Sequence, residues 1–138
     1  MRNPVPERLE SGLLDTSVVI DLDVIDVEHL PRTVAVSAIT MAELAAGPAA
    51  TQDLAERARR QDRLQRAEAA FEPIPFGSEA ARAYGRVHAA VRPAGRQPRR
   101  RFADLLIASI AMAEGLPLLT RNAEDFAGLD EIVLVVPV

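Results

Sequence analysis

Short, continuously apolar segments alternate along this chain with longer segments that have helical patterns, and this alternation strongly constrains the fold. The strand candidates are residues 13–14, 34–36, 118–119 and 132–136. Short strands without a polar face are typical of a parallel sheet that is covered by helices on both sides. We therefore predict an α/β fold, a three-layer α/β/α sandwich with a short, mainly parallel sheet.

The segments between these strands predict helices. The predicted helices cover residues 16–24, 40–46, 51–71, 78–91 and 102–113, with a helical turn at 122–126. Gly47 and Pro48 form a breaker pair after the second helix. Residues 71–76 suit a short edge strand or an extended connector because they hold two prolines. Residues 92–101 are predicted to be a loop.

The composition fits one compact domain. The 138 residues are 49% hydrophobic, and we predict a polar extension over residues 1–10 before a single domain at residues 11–138. The chain has no cysteine, which excludes disulfides, a thiolate nucleophile and zinc sites with sulfur ligands, and fits a reducing interior. It also lacks a signal-peptide pattern and an apolar run long enough to span a membrane, so we predict a soluble, cytoplasmic protein.

The charge distribution argues against a general coat for nucleic acid. The net charge is −4, whereas binding along a nucleic-acid backbone depends on cationic side chains. All 16 basic residues are arginines, and five of them fall within residues 92–101. Arginine binds phosphate oxygens in a bidentate way. A GC-rich coding bias is nevertheless the simpler explanation for the absence of lysine.

Three isolated acids stand in segments that are otherwise apolar enough to form a core. In each case one acid is the only charged residue of its segment: Asp15 in 11–20, Glu43 in 33–52 and Asp104 in 102–113. Burying an unpaired carboxylate is costly. Each of these acids therefore needs a compensating partner.

Helix capping is one explanation for the three acids. Asp15 can cap the helix that it precedes, and Thr40 and Glu43 have the spacing of a capping box. Asp104 falls in the first turn of a helix, where the helix dipole favours a negative charge. Taken singly, each acid is more often a structural cap than a ligand.

The positions of the acids in the predicted sheet also point to a shared site. Asp15 and Asn122 follow predicted strands, and Glu43 follows another after a few residues. The C-terminal ends of parallel strands lie side by side, and ligands bind in the crevice outside them. Carboxylates forced together repel each other, and a set of oxygen ligands selects hard cations such as Mg²⁺ or Mn²⁺. Such ions can hold a phosphodiester and activate the attacking water.

Four segments of the chain resemble the four acidic motifs of PIN domains, in the same order and at similar spacing. They are Leu-Leu-Asp-Thr-Ser at 13–17, Ser-Ala-Ile-Thr-Met-Ala-Glu-Leu at 37–44, Phe-Ala-Asp-Leu-Leu-Ile-Ala at 102–108 and Leu-Thr-Arg-Asn-Ala-Glu-Asp-Phe at 119–126. The likeness is strongest to the toxin halves of bacterial VapBC-type toxin–antitoxin pairs. It implies a PIN-like α/β/α fold and a homodimeric endoribonuclease that cuts RNA with Mg²⁺ or Mn²⁺ and is silenced by an antitoxin protein.

The resemblance also assigns roles to residues. It implies that Asp15, Glu43 and Asp104 are the principal acids, which bind the metal directly or through water and orient the attacking water. The residues that it implies as support for the metal site, through hydroxyl or backbone groups, are Thr16, Ser17 and Thr40.

The fourth motif departs from the pattern of the family. Members often have Asp where this chain has Asn122, with another acid three residues later, which is Asp125 here. Asn122 and Asp125 also have the spacing of a helix cap followed by an acid. A neutral oxygen at Asn122 holds a second metal ion more weakly, unless Asp125 assists. One and two metal ions are therefore both compatible with the sequence.

Arginines beside the third and fourth motifs are candidates for RNA binding. Those before Asp104 could clamp RNA phosphates near the metal, or they could belong to a solvated loop. Arg121 has the same two interpretations. The predicted RNA-binding residues are Arg99, Arg100, Arg101 and Arg121.

Two other functions fit a small α/β fold with clustered acids. A receiver-type signalling domain also has an acidic Mg²⁺ pocket, but that family needs a lysine near the site and this chain has none. A PIN-like module that binds RNA or protein without cutting is the second alternative, and Asn122 leaves room for it. The intact acids of the first three motifs favour cleavage.

Overall fold

The structure is a computed structural model that describes residues 7–91 and 101–138. These residues contain four strands and five α-helices. The strands are β1 (Ser11–Leu14), β2 (Thr33–Val36), β3 (Leu118–Thr120) and β4 (Val135–Pro137). The α-helices are α1 (Thr16–Ile20), α2 (Ala38–Ala46), α3 (Leu54–Ala70), α4 (Ser78–Val91) and α5 (Phe102–Glu114). None of the described helices is long and apolar enough to cross a membrane.

The strands run parallel in the order β2-β1-β3-β4. From β1 the chain moves to β2 on one side, and it later returns to place β3 on the other side. Connections that diverge in this way leave a crevice at the C-terminal ends of the central strands, where parallel α/β sheets bind ligands. The crevice lies beyond Leu14 and Thr120, the last residues of β1 and β3.

Helices cover both faces of the sheet. Leu13 and Leu118 belong to a core cluster with residues of α4 and α5, whereas Leu14 and Leu119 belong to a second cluster with residues of α1, α2 and α3. Neighbouring residues of a strand point to opposite faces, so each Leu-Leu pair contributes one side chain to each core. All four leucines are fully buried. The predicted α/β/α fold is confirmed.

The observed elements differ from the predicted ones mainly at their ends. The helix predicted for residues 16–24 is split into α1 and a 3-10 turn at Leu22–Val24. The last strand begins at Val135 and not at residue 132, because the N–H groups of residues 132 and 133 bond to one carbonyl in a turn. The loop predicted for residues 92–101 lies outside the described residues except for its last position.

The proline-rich segment before α4 makes one strand-like contact. Ile74 forms an isolated parallel bridge with Ser37. The Ile74 N–H donates to the Val36 carbonyl (2.9 Å), and its carbonyl accepts from the Ala38 N–H (2.8 Å). This bridge prolongs the edge of the sheet beyond β2 and holds the backbone at the start of α2.

Gly12 in β1 lies where the core has no room for a side chain. A Cβ atom there would come within 2.5 Å of Leu119 Cδ1 and 2.9 Å of Pro31 Cγ. We expect Gly12→Ala to lower the free energy of unfolding by about 1–3 kcal/mol, because overpacking strains a filled core. Urea denaturation measures this change.

Gly85→Ala is the matched control for that substitution. Gly85 is exposed in α4, and nothing lies within 4 Å of its Cβ position. A helical alanine is more stable than glycine by about 1 kcal/mol, so this variant is expected to gain stability. A loss of similar size in both variants would contradict the packing argument.

Candidate active site

Asp15 follows β1 directly and is buried at the crevice, with 4% of its surface exposed. Its Oδ1 accepts a hydrogen bond from the Thr16 N–H (2.8 Å) at the start of α1, so the predicted capping by Asp15 is confirmed. Its Oδ2 accepts from the hydroxyls of Ser17 (2.9 Å) and Thr120 (2.8 Å). A buried carboxylate is tolerated when donors satisfy it. These donors fix the orientation of Asp15.

The two hydroxyls that hold Asp15 are themselves held by backbone N–H groups. Ser17 Oγ accepts from the Arg121 N–H (3.1 Å), and Thr120 Oγ1 accepts from the Asn122 N–H (3.0 Å). Each hydroxyl therefore keeps its own proton for the carboxylate. The network joins β1 to the end of β3, although Asp15 and Thr120 are 105 positions apart in the sequence.

Thr120 is a candidate that the sequence reasoning does not single out. It is the last residue of β3, is fully buried and donates to Asp15. The sequence contains one signal for Thr120. It is the first polar residue after Leu118 and Leu119, and so it stands at a strand end, as Asp15 does. The four-motif pattern instead draws attention to Asn122, two residues later.

Glu43 reaches the crevice from α2, and hydroxyl groups tie it to α1. Its side chain is exposed, and Oε1 accepts from Thr16 Oγ1 (2.6 Å). Thr16 Oγ1 also lies 2.9 Å from Thr40 Oγ1. Because the single hydroxyl proton of Thr16 goes to Glu43, Thr40 is the donor in this second contact. Thr16 thus contacts Glu43 directly, whereas Thr40 reaches it only through the Thr16 hydroxyl.

The predicted capping box of Thr40 and Glu43 is wrong. Ser37 is the N-cap of α2, and its hydroxyl accepts from the Thr40 N–H (3.1 Å). The helix begins two residues earlier than predicted, because Ser37 still has an extended backbone after β2 and can present its side chain to the first turn. Thr40 is therefore buried inside that turn, where its hydroxyl faces Thr16.

Asp104 lies in the first turn of α5, as predicted, and burial is the main reason that the pKa of its carboxyl is raised to about 7. Repulsion raises the pKa further, and the carboxylates responsible are those of Asp15, Asp125 and Glu43. The positive charge of the Arg101 guanidinium offsets part of this increase in the pKa of Asp104. The structure therefore brings the acids of the other three motifs within electrostatic reach of Asp104.

The fourth motif contributes Asp125 to the crevice but no side-chain cap. Asn122 precedes a 3-10 turn at Ala123–Phe126, and its side chain does not cap that turn, so the predicted cap is wrong. The backbone closes the turn, because the Asp125 N–H bonds to the Asn122 carbonyl (2.9 Å). No side-chain acceptor is needed there. Asp125 itself forms an ion pair with Arg101.

The two predicted RNA-binding arginines within the described residues both face acids of this chain. Arg101 Nη1 pairs with Asp125 and lies 4.0 Å from Asp104 Oδ2. Arg121 Nε lies 3.6 Å from Asp21 Oδ2. RNA binding by either residue stays a prediction. The two other candidates, which lie outside the described residues, are Arg99 and Arg100.

Comparison with known protein families identifies the family to which this chain belongs. The family model for the PIN domain matches residues 12–132, a range that contains all four acidic segments. The chain belongs to the PIN-domain family. The predicted resemblance of the four motifs is therefore confirmed.

Individual relatives of this PIN domain agree with the family match. Ribonuclease VapC5 of Mycobacterium tuberculosis is 38% identical over 125 residues, which cover 87% of this chain and 88% of that protein. The crystal structure of VapBC-5, from the VapBC family of toxin–antitoxin systems of the same organism, contains a chain that matches with a TM-score of 0.82 and 35% identity, over 94% of this chain and 99% of that one. FitAcB from Neisseria gonorrhoeae matches with a TM-score of 0.66 and 28% identity, over 90% of this chain and 95% of that one. The predicted likeness to VapC proteins is confirmed.

Proposed function

We propose that this protein is a metal-dependent endoribonuclease and the toxin of a bacterial toxin–antitoxin pair. The observation that carries the proposal is the gathering of Asp15, Glu43 and Asp104 at one crevice, where burial and repulsion raise the pKa of Asp104 to about 7. The 38% identity to Ribonuclease VapC5 supports RNA as the substrate. We also propose that the protein acts in the cytoplasm, where it would meet its RNA substrate.

Oxygen ligands and uncompensated negative charge suit a divalent cation such as Mg²⁺ or Mn²⁺. In the described residues no three acidic or histidine side chains already converge as a ligand cage, so water would complete the coordination, as is usual for Mg²⁺. Asp15, Glu43 and Asp104 would hold the ion. When bound, it supplies a Lewis acid for the phosphodiester and lowers the pKa of a bound water.

The residues of the chain prepare these acids for hydrolysis. Three hydrogen bonds hold Asp15 in one orientation, so it offers a fixed carboxylate. Glu43 is exposed and tethered by Thr16, which makes it the acid that solvent water reaches most easily. Asp104 stands in the first turn of α5, where the helix dipole opposes the increase in its pKa that burial and repulsion cause. The residues proposed to bind RNA phosphates are Arg99, Arg100, Arg101 and Arg121.

Thr120→Val tests whether the hydroxyl that holds Asp15 positions it for catalysis. We expect RNA cleavage to fall about 10- to 100-fold, as is typical when the orienting partner of a metal ligand is lost. The free energy of unfolding should also fall, by about 1–3 kcal/mol, because the Asn122 N–H and one Asp15 oxygen lose a partner. Thr120→Ser keeps the hydroxyl and is the control. Cleavage at the wild-type rate by the valine variant would exclude this role.

The proposal also includes protein partners. VapBC-5 is a toxin–antitoxin system, and by analogy we propose a cognate antitoxin that silences the nuclease, and a homodimeric form of the toxin. Light scattering of the purified chain tests the dimer. Co-purification with the product of a neighbouring open reading frame, and loss of cleavage in that complex, tests the antitoxin.

A PIN-like module that binds RNA or protein without cutting is the second candidate. The observation that favours it is the ion pair of Arg101 with Asp125, which engages the acid of the fourth motif. Incubation of total RNA with the purified protein, in Mg²⁺ and in EDTA, separates the two candidates. Cuts that need metal support the nuclease, whereas a gel shift with intact RNA supports the binding module.

A further inference from the structure

Arg101 brings a cation of the chain itself into the acidic crevice. Its Nη1 pairs with Asp125 Oδ1 and lies 4.0 Å from Asp104 Oδ2. We propose that this guanidinium occupies the Asp125 side of the crevice in place of a second metal ion, and competes with the ion that Asp104 binds. The inference rests on the proposed function and specifies how many ions the site takes and how tightly it holds them.

The ion pair lies in a setting where charge interactions are strong. The side chains of Arg101, Asp104 and Asp125 are 36%, 24% and 20% exposed. Charges that are shielded from water in this way interact more strongly than surface pairs, because the surrounding dielectric is lower. The guanidinium therefore neutralises Asp125 and also reduces the negative potential at Asp104.

Both partners of the pair are held by their local structure. Arg101 is the residue just before α5, and Asp125 belongs to the turn at Ala123–Phe126, which the backbone closes and which Phe126 anchors in the core. Because both positions lie beside regular backbone elements, the entropy lost on pairing is mainly the rotamer freedom of the Arg101 side chain. Asn122, the other residue of this motif that was predicted for the site, is neutral and cannot replace the charge of Asp125.

The two sides of the crevice therefore differ in charge. In the described part of the chain, Asp15 and Glu43 are held by hydroxyl and backbone N–H groups, which satisfy their oxygens without neutralising them. Asp125 is paired with a full positive charge. A divalent ion is thus favoured on the side of Asp15 and Glu43 and is opposed on the side of Asp125.

Titration calorimetry with Mn²⁺ on the purified, RNA-free full chain tests the inference. We expect the wild type to bind one ion per chain. Arg101→Gln removes the competing charge and should bind Mn²⁺ tighter by on the order of ten-fold, or take up a second ion. Arg101→Met, a second neutral variant, should behave in the same way, and Arg101→Lys, which keeps the charge, should stay close to the wild type.

Arg121→Gln is the matched control for Mn²⁺ affinity. In the wild type the side chain of Arg121 has the same exposure as that of Arg101, 36%. It faces Asp21, which is not among the carboxylates that act on Asp104. Removing the charge of Arg121 should change Mn²⁺ affinity by no more than about two-fold, because Arg121 is not among the groups that act on Asp104. Thermal melts in EDTA confirm that each variant is folded before the titration.

One result would overturn the inference and leave the nuclease proposal intact, namely equal Mn²⁺ affinity and stoichiometry in the wild type and the neutral Arg101 variants. Weakened RNA binding by the same variants would then assign Arg101 to RNA phosphates. A different result, in which no variant binds Mn²⁺ and the wild type cuts no RNA, would overturn the inference and the proposed function together.

Discussion

Replacing Asp15 with asparagine is expected to reduce RNA cleavage by on the order of 10³-fold or more, which is at or above the upper end for removing one preorganised electrostatic group. The substitution removes a negative charge from the centre of the proposed metal site. It also places an amide NH₂ among donors, since the hydroxyls of Ser17 and Thr120 already direct their protons at this side chain. The variant should remain folded, with a loss of about 1–3 kcal/mol in the free energy of unfolding from the mismatched donor.

The control for this prediction is a matched change at another helix cap. Asp53 caps α3 by accepting from the N–H groups of Ala55 and Glu56, and it is exposed. Asparagine caps helices about as well as aspartate, so Asp53→Asn should keep both stability and cleavage. Circular dichroism and cleavage of the same RNA are measured on both variants. Cleavage by Asp15→Asn at the rate of Asp53→Asn would exclude Asp15 from the site.

Asp104→Asn is expected to stabilise the metal-free protein at neutral and alkaline pH. The pKa of Asp104 is raised from 3.8 to about 7, first by burial and then by the neighbouring carboxylates. Between these two values the folded chain binds a proton that the unfolded chain has released, so the stability of the wild type falls as the pH rises through this window. The loss is on the order of 2 kcal/mol after allowance for partial exposure.

Thermal unfolding in EDTA from about pH 4 to about pH 8 measures this effect. The melting temperature of Asp104→Asn should exceed that of the wild type by roughly 5–10 °C at the alkaline end, and the difference should shrink toward the acid end. Added Mg²⁺ should stabilise the wild type more than the variant, because ligands that bind the folded state stabilise it by mass action. A difference that does not change with pH would show that Asp104 does not titrate in this range.

The acids of the proposed site stand out in the sequence because they interrupt apolar segments at strand ends and helix starts. Asp15 is the clearest case, since a charge directly after the two buried leucines of β1 has to find partners. Asp104 is similar, as the only charge between Arg101 and Glu114, in a helix that packs on the sheet. The three α/β/α layers could be predicted from the alternation of strands and helices, because buried parallel strands leave a simple hydrophobic pattern in the sequence.

The contacts that hold the acids could not be predicted in the same way. Thr120 reaches Asp15 only because β3 lies beside β1, and hydrophobic patterns do not specify the order of strands in a sheet. Ser37 and Thr40 are both good caps, and only the end of β2 decides between them. The pairing of Arg101 with Asp125 depends on the direction of the Arg101 side chain, which extends from the start of α5 to the turn that contains Asp125. The spacing of residues in the sequence does not determine that direction.

The proposed function requires that the acids of the four motifs form one metal-dependent nuclease site. Cleavage of total cellular RNA by the wild type and by Asp104→Asn, each with Mg²⁺, with Mn²⁺ and with EDTA, tests it most directly. We predict discrete cuts by the wild type that require metal and that disappear in the variant. Equal cleavage by both proteins, or cleavage that persists in EDTA, would contradict the claim.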